Sequence, residues 1–318
     1  MKKALIIGHS GQDGTYLYHY LNSLNYDIIG ISSKTYRSDS TSISATIDIT
    51  NKREVGELLR FFEPDEIYFF AAVHQSSVDL VQDDYQLFQN SFQINVLALT
   101  NFLEAISKYV MKSRLFYAAS SHIFGNPTTA IQDENIPLNP TCIYGITKTA
   151  GIQLCRFYYS KFNVYASVGV FYNHESPLRP SNFVSKKIVE SAVAIKYNKM
   201  DKLFLGNLEA RIDWGYAPDF VEAAHKILQL EDPDKFIICT GETHSVGEFT
   251  EGVFRYLNTD WKKYVEVNPD LITKTSKNNL QGNYSKIHNA TGWTPKVSFQ
   301  ELIEILVNAE LRKYDNEP

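Results

Sequence analysis

Tyr144 and Lys148 stand four residues apart at the start of a helix-like stretch, and Ser120 closes an apolar run ahead of them. Residues four apart share one face of a helix. An ammonium beside a phenol favours phenolate, so a group that ordinarily ionises near pH ~10 could act as a base closer to neutrality. The Ser120 hydroxyl could share the same substrate oxygen. Together these groups suit taking the proton of an alcohol while its carbon gives up a hydride. The spacing alone says little in a chain with 20 tyrosines. Its weight comes from a second motif in the same half.

That motif is the loop from Gly8 to Gly14, with Gly11, Gln12 and Asp13 inside it. It follows the apolar run Ala4–Ile7 and precedes Thr15–Leu24, where Leu17, Leu21 and Leu24 recur at helical spacing. Glycines between a first strand and a first helix permit a tight turn and close approach of a pyrophosphate to the helix N-terminus. Gly8, Gly11, Gln12, Asp13 and Gly14 are therefore expected to hold a dinucleotide. The spacing G-x-x-G-x-x-G is a variant of the usual fingerprint, and the alternative is an ordinary glycine turn.

Positioning such groups requires a sheet. Strand-like runs at Ala4–Ile7, Asp27–Ser32, Ala45–Ile47, Glu66–Ala71, Arg114–Ala119 and Tyr165–Val170 alternate with helix-like stretches at Thr15–Leu24, Lys52–Phe62, Ser91–Tyr109 and Tyr144–Phe162. Alternation of this kind implies an α/β fold, a Rossmann-type doubly wound parallel sheet covered on both faces. The glycine loop, Ala71, Ala72 and Ser120 all fall at carboxyl ends of strands, where such sheets bind ligands, so one crevice could hold all three. Beyond Phe171 the pattern loosens into a polar loop at Asn173–Pro180, helix-like Phe183–Tyr197 and Asp219–Leu230, a returning strand at Lys235–Cys239, irregular residues 258–290 and a last helix at Phe299–Arg312. The expected division is a dinucleotide-binding domain at 1–172 and 228–250, and a smaller, discontinuous C-terminal substrate lobe at 173–227 and 251–318.

A chain of 318 residues can bury a large core. A net charge of −5 without a basic cluster argues against a nucleic-acid partner. No apolar stretch reaches the length of a membrane span, and the start lacks the apolar core of a signal peptide. Cys142, Cys155 and Cys239 have neither metal-ligand spacing nor a disulfide pattern, so no metal is expected. The expectation is a soluble cytoplasmic protein.

A fold that prefers NAD usually carries an acid about 20 residues past the glycines. Here the second strand ends at Ser32 and Ser33 without one, and Lys34 and Arg37 follow. Two cations and several hydroxyls suit a 2′-phosphate, so NADP is expected ahead of NAD. Asp48, with Ile49 beside it, is a candidate for the adenine end.

At this point the chain resembles an extended short-chain dehydrogenase/reductase, most closely the GDP-mannose 4,6-dehydratase family. The resemblance runs almost end to end. It rests on Gly11–Gly14, Glu63–Tyr68, Tyr144 with Lys148, Phe171–Pro177, Gly206–Ala210, Asp213–Gly215, Thr240–Val246 and Trp293–Phe299. It implies that NADP takes hydride from C4 of a sugar while Tyr144 takes the hydroxyl proton. A base then removes the C5 proton, water leaves from C6, and the hydride returns to C6. It also implies a homodimer or homotetramer.

The family's catalytic segment reads Thr-Ser-Glu; the matching residues here are Ser120, Ser121 and His122. An imidazole ordinarily titrates near ~6.5, so His122 could serve as base at C5 and acid at C6. It could equally exchange a proton beside a ketone, as in an epimerase or a 4-keto reductase scaffold, or only orient substrate. Other departures concern substrate. Ile212 stands where the family has arginine, one position after Arg211; Thr273, Ser276 and Gly247 also replace family charges. Losing guanidinium forks removes bidentate phosphate contacts. The resemblance thus implies a nucleoside-diphosphate sugar, GDP-mannose-like or another hexose or heptose. Ser121, Asn173, Asn207, Arg211, Lys186 and Lys187 are the expected substrate contacts. The segment after the fourth strand is about five residues longer than the family pattern, which makes His74 a further polar candidate in the pocket. A non-catalytic NADP-binding protein is the remote alternative.

Overall fold

The computed structural model describes residues 1–32, 43–45, 47–74, 83–271 and 280–315. In chain order the first half contains β1 (Lys3–Ile7), α1 (Gln12–Ser23), β2 (Asp27–Ile31), β3 (Ile43–Ala45), α2 (Lys52–Phe62) and β4 (Glu66–Phe69). It continues with α3 (Asp84–Phe92), α4 (Leu99–Tyr109), β5 (Arg114–Ser120), β6 (Ile131–Gln132), α5 (Ile143–Phe162) and β7 (Ala166–Phe171). The second half adds β8 (Asn173–Glu175), α6 (Val184–Lys196), β9 (Leu203–Leu205), β10 (Arg211–Ile212), β11 (Trp214–Tyr216), α7 (Ala217–Leu228) and β12 (Lys235–Ile238). After them come β13 (His244–Ser245), α8 (Val246–Tyr256), α9 (Ser285–Thr291) and α10 (Phe299–Asp315).

Seven strands form one sheet in the order β12-β7-β5-β4-β1-β2-β3, and every neighbouring pair is parallel. The α/β, doubly wound expectation holds. Strand order reverses between β1 and β4, where Ile7 faces Phe69, so a crevice opens beyond that point. The strands are buried on both faces because helices cover each side. On one side Val55 and Leu59 of α2, Phe102 of α4 and Ile152 of α5 pack on the sheet. On the other, Leu17 and Leu21 of α1 meet Phe220 and Ile227 of α7, with Trp293 beneath. Among the described residues no helix is long and apolar enough to cross a membrane.

A separate apolar cluster joins α6, α8 and α10 through Val189, Phe249, Val253, Ile303 and Val307. The packing therefore differs from the expected division at two helices. α7, expected in the lobe, lies on the sheet; α8, half of it expected with the sheet, packs in the lobe. Both have one apolar face, and only the connectivity decides which core that face meets.

Several element boundaries move as well. α1 begins at Gln12, inside the glycine loop, and β3 precedes the expected Ala45–Ile47. The single helix expected at Ser91–Tyr109 is α3, a π-helical segment at Gln93–Ala98 and α4. Its wider turn presents Asn95 inward, where Nδ2 donates to Thr147 Oγ1 at 3.0 Å. Residues 258–290, expected irregular, include a strand at Val265–Val267 and the start of α9.

Candidate active site

β5 ends at Ser120, whose Oγ accepts a hydrogen bond from His122 N at 3.4 Å and caps the short turn Ser121–Phe124. That turn abuts the start of α5: a Cβ on Gly145 would lie 2.5 Å from His122 O, so only glycine permits the approach. Cys142 caps α5, its Sγ accepting from Gly145 N at 3.4 Å and lying 3.7 Å from His122 Nδ1. The first turns of α5 then carry Tyr144 and Lys148 into the crevice.

Ser120, His122, Tyr144 and Lys148 line one cleft of about 370 Å³. The rings of His122 and Tyr144 meet edge to face at 5.9 Å between centroids. Lys148 is 1% exposed; its Nζ donates to Ala118 O at 2.6 Å and stands 5.5 Å from the centre of the Tyr144 ring. Burial lowers the Lys148 pKa to about 7. Burial also pushes the Tyr144 phenol above its ordinary value, with the Asp13 charge adding to the rise and Arg179 opposing it. This corrects the expectation that the ammonium primes the phenol. In the folded chain desolvation acts on both groups toward neutrality, and the amine is turned to a backbone carbonyl.

The glycine loop has the form a dinucleotide needs. Gly11 is the N-cap of α1, and among the described residues no side chain caps the first-turn N–H groups, an arrangement that suits an anion. A Cβ on Gly14 would lie 2.3 Å from Gly8 O, so the loop can fold tightly only with glycine there. Gly8 N donates to Ile31 O at 2.9 Å and seats the loop on β2. Gln12 spends its amide on the neighbouring loop, donating to His174 O at 3.0 Å and accepting from Ser176 Oγ at 2.7 Å. Asp13 lines the cleft. Ala72 also lines it, while Ala71 packs against the core. Asp48 is exposed, and its carboxylate, accepting from Thr50 N and Oγ1, sits below the usual range. Ile49 packs on the core, and its carbonyl accepts from Asn101 at 3.1 Å. Lys34 and Arg37 lie outside the described residues.

Of the expected substrate contacts, Asn173 and His74 face the cleft. Asn173 is held by pairing of β8 with β11, opposite Trp214. His74 stands perpendicular to Tyr144 at 4.6 Å between ring centroids and stacks on Phe183 at 5.6 Å. The other contacts point elsewhere. Ser121 is buried behind the turn. Lys186 faces the lobe core and pairs with Glu310 of α10 at 2.8 Å. Lys187 donates to Phe204 O at 2.9 Å, and Arg211 bonds Thr243 and pairs with Glu248 at 3.6 Å. Asn207 is exposed and caps its own turn through Glu209 N at 2.9 Å. Both lysines are expected on the substrate; α6 instead turns Lys186 inward, where desolvation demands a carboxylate partner.

Sequence reading missed Arg179, whose guanidinium lies 3.6 Å over the Phe183 ring and 3.2 Å from Glu175 within the cleft wall. The signal was present, since an arginine beside Pro180 in a polar loop after β8 stands at the mouth of the crevice. Ile212 also lines the cleft, at the position where an arginine was expected by resemblance.

The sequence family described as GDP-mannose 4,6 dehydratase matches residues 5–306. GDP-mannose 4,6 dehydratase 2 of Arabidopsis thaliana is 33% identical over 330 residues, covering 98% of this chain and 87% of its own length. Among solved structures, dTDP-glucose 4,6-dehydratase from Bacillus anthracis in complex with NAD superposes with a TM-score of 0.83 at 20% identity, covering 100% of this chain and 98% of its own. RMD from Pseudomonas aeruginosa, complexed with NADPH, gives a TM-score of 0.81 at 18% identity, covering 98% and 99%.

Proposed function

This chain belongs to the GDP-mannose 4,6-dehydratase family, nucleotide-sugar dehydratases of the extended short-chain dehydrogenase/reductase superfamily, and on that premise we propose that it removes water across C5 and C6 of a nucleoside-diphosphate sugar through a 4-keto intermediate. The observation that carries the reading is the convergence of Ser120, His122, Tyr144 and Lys148 on one cleft beside the open N-terminus of α1. NADP is the proposed cofactor, supported by the absence of an acid at the end of β2 and by Lys34 and Arg37 beyond it. Gly8, Gly11 and Gly14 would hold its pyrophosphate. When bound, it would supply the hydride chemistry, accepting from C4 and returning to C6.

The protein's own residues move the protons. Tyr144 takes the O4 proton, and the Ser120 hydroxyl shares that oxygen. Lys148, 5.5 Å from the centre of the phenol ring, supplies a positive field there when its amine is protonated. Once C4 is a ketone, the C5 proton is acidified, and His122 removes it. The same imidazole then protonates the C6 oxygen as water leaves. Imidazole suits both tasks because its ordinary pKa lies near the working pH. Asn173 and Arg179, at the cleft wall, are placed to hold the sugar and its diphosphate.

The test is incubation with a panel of nucleotide hexoses and heptoses in deuterated water, followed by mass spectrometry. Loss of one water with deuterium at C5 is the expected result. Deuterium without loss of water would make the protein an epimerase, and net consumption of reduced cofactor on a 4-keto sugar would make it a reductase.

A further inference from the structure

We propose that His74 carries the O4 proton away from Tyr144 and delivers it to water in a second cavity beside the active-site rings, an inference that rests on the dehydration reading above. The rings of His74, Tyr144 and His122 line the cleft. The same three rings also line a second cavity of about 470 Å³, where Asp84, Ser91 and Cys142 are joined by apolar Leu87, Ile143 and Ile146. The two imidazoles are 6.2 Å apart between centroids, with the phenol between them. The three rings are thus shared between the cleft and a neighbouring chamber of mixed polar and apolar lining.

Proton balance requires that the O4 proton leave Tyr144. Dehydration draws two protons from the sugar, one from O4 to Tyr144 and one from C5 to His122. Two are returned, one to the C6 oxygen as its bond to carbon breaks, and one to C5 when hydride enters C6. His122 can pass the C5 proton to the C6 oxygen directly. Tyr144 must still be rid of the O4 proton before the next turnover, and His122 must gain one for C5. Lys148 lines the cleft and is not among the residues lining the second cavity, and its Nζ donates to the Ala118 carbonyl. His74 is the imidazole nearest the phenol, at 4.6 Å against 5.9 Å for His122. It takes the phenol's proton on a ring nitrogen and releases it to cavity water, from which His122 draws its own.

The position of His74 is built rather than incidental. Its neighbour Val73 is clamped at both backbone groups by Asn95, Val73 N donating to Oδ1 at 2.9 Å and Nδ2 donating to Val73 O at 3.2 Å. Asn95 also bonds Thr147 on α5, one residue before Lys148. The clamp therefore fixes the start of the His74 loop to the helix that carries the phenol. Phe183, stacked on the imidazole, holds the ring upright.

The experiment compares wild type, His74→Ala and His74→Gln, saturated with NADP, on a nucleotide sugar that the wild type dehydrates. kcat should fall about 10- to 100-fold in both variants, with KM little changed, within the range for losing a proton-transfer group. Added imidazoles should restore kcat of His74→Ala, more strongly as their basicity rises; a group that merely filled space would not show that dependence. Unchanged kcat in either variant, or a loss that no imidazole relieves in His74→Ala, overturns the relay while leaving the dehydratase reading intact. Failure of the wild type to dehydrate any sugar on the panel overturns that reading and the relay with it.

Discussion

His174 Nε2 lies 3.0 Å from Asp13 Oδ1, and the imidazole stacks on Phe220 of α7 at 4.8 Å between ring centroids. One contact thereby ties the first turn of α1 to the segment after β7, which also carries Asn173 and Arg179. The glycine loop and the cleft wall after β7 are joined through this largely buried carboxylate–imidazole contact. Burial alone would raise the Asp13 pKa, but His174, Arg179 and Gln12 together hold it below the ordinary carboxylate value.

That shift has a definite sign. A carboxylate with a depressed folded pKa contributes stability that is complete above its unfolded value near ~3.9 and is lost as pH falls through the folded value. Asp13→Asn should therefore destabilise the protein at pH 7 by about 1–3 kcal/mol, the range for a hydrogen bond to a charged group. The gap from wild type should close at acid pH. Urea unfolding across that range checks it; a gap independent of pH would mean that the Asp13 carboxylate is not charged in the native protein.

Lys148 behaves in the opposite sense. Below pH 7 its ammonium is charged in both folded and unfolded chains, and the full cost of burying it is present. Between about 7 and the unfolded value near ~10.4 the folded protein sheds the proton while the unfolded chain keeps it, so the cost declines as pH rises. Lys148→Met should stabilise the cofactor-free protein at pH 7 by at most about 5 kcal/mol, from a pKa lowered by roughly 3.4 at about 1.4 kcal/mol per unit. Activity should be lost in the same variant. Thermal melts without cofactor, paired with turnover assays, separate the two effects.

His122→Ala should lower dehydration at least about a hundredfold, the loss expected for an acid–base group. Oxidation at C4 should persist, seen as reduced cofactor accumulating after mixing with substrate. A loss of only a few-fold would assign His122 to orienting substrate. His122→Glu, which restores the family's carboxylate, should recover part of the rate with its optimum moved to lower pH, because a glutamate ordinarily titrates near ~4.3 against ~6.5 for imidazole.

Gly14→Ala should abolish tight dinucleotide binding without unfolding the chain. The added methyl meets the Gly8 carbonyl at 2.3 Å and the His9 backbone at 2.6 Å, so the loop must open and its N–H groups lose their aim. Affinity for NADP, measured by fluorescence titration, should fall by at least about tenfold, which is about 1.4 kcal/mol. Affinity equal to wild type would place the pyrophosphate elsewhere.

Much of this architecture was legible in the chain. α2 was read at its observed bounds, because Asn51 caps it and its apolar residues recur at helical spacing. Tyr144, Lys148 and Ser120 were found because their spacing encodes their geometry: four residues on a helix and a strand's last residue are local facts. Lys186, Lys187 and Arg211 were misplaced for the converse reason. A cation on a helix or strand looks alike whether it meets a phosphate or a carboxylate, and the partner of Lys186 lies 124 residues away.

Local periodicity and glycine spacing, read from the chain alone, were enough to establish the layered α/β fold, the tight glycine loop between β1 and α1 and the neighbouring Tyr144 and Lys148, since each depends on neighbours within a turn or a strand. Tertiary structure alone decided which polar groups share the cleft, that His74 and His122 flank one phenol, and that Arg179 rather than Lys186 faces it. It also decided the direction in which Tyr144 and Lys148 titrate. Those outcomes depend on desolvation and on contacts between residues far apart in sequence, and neither exists until the chain has closed around them.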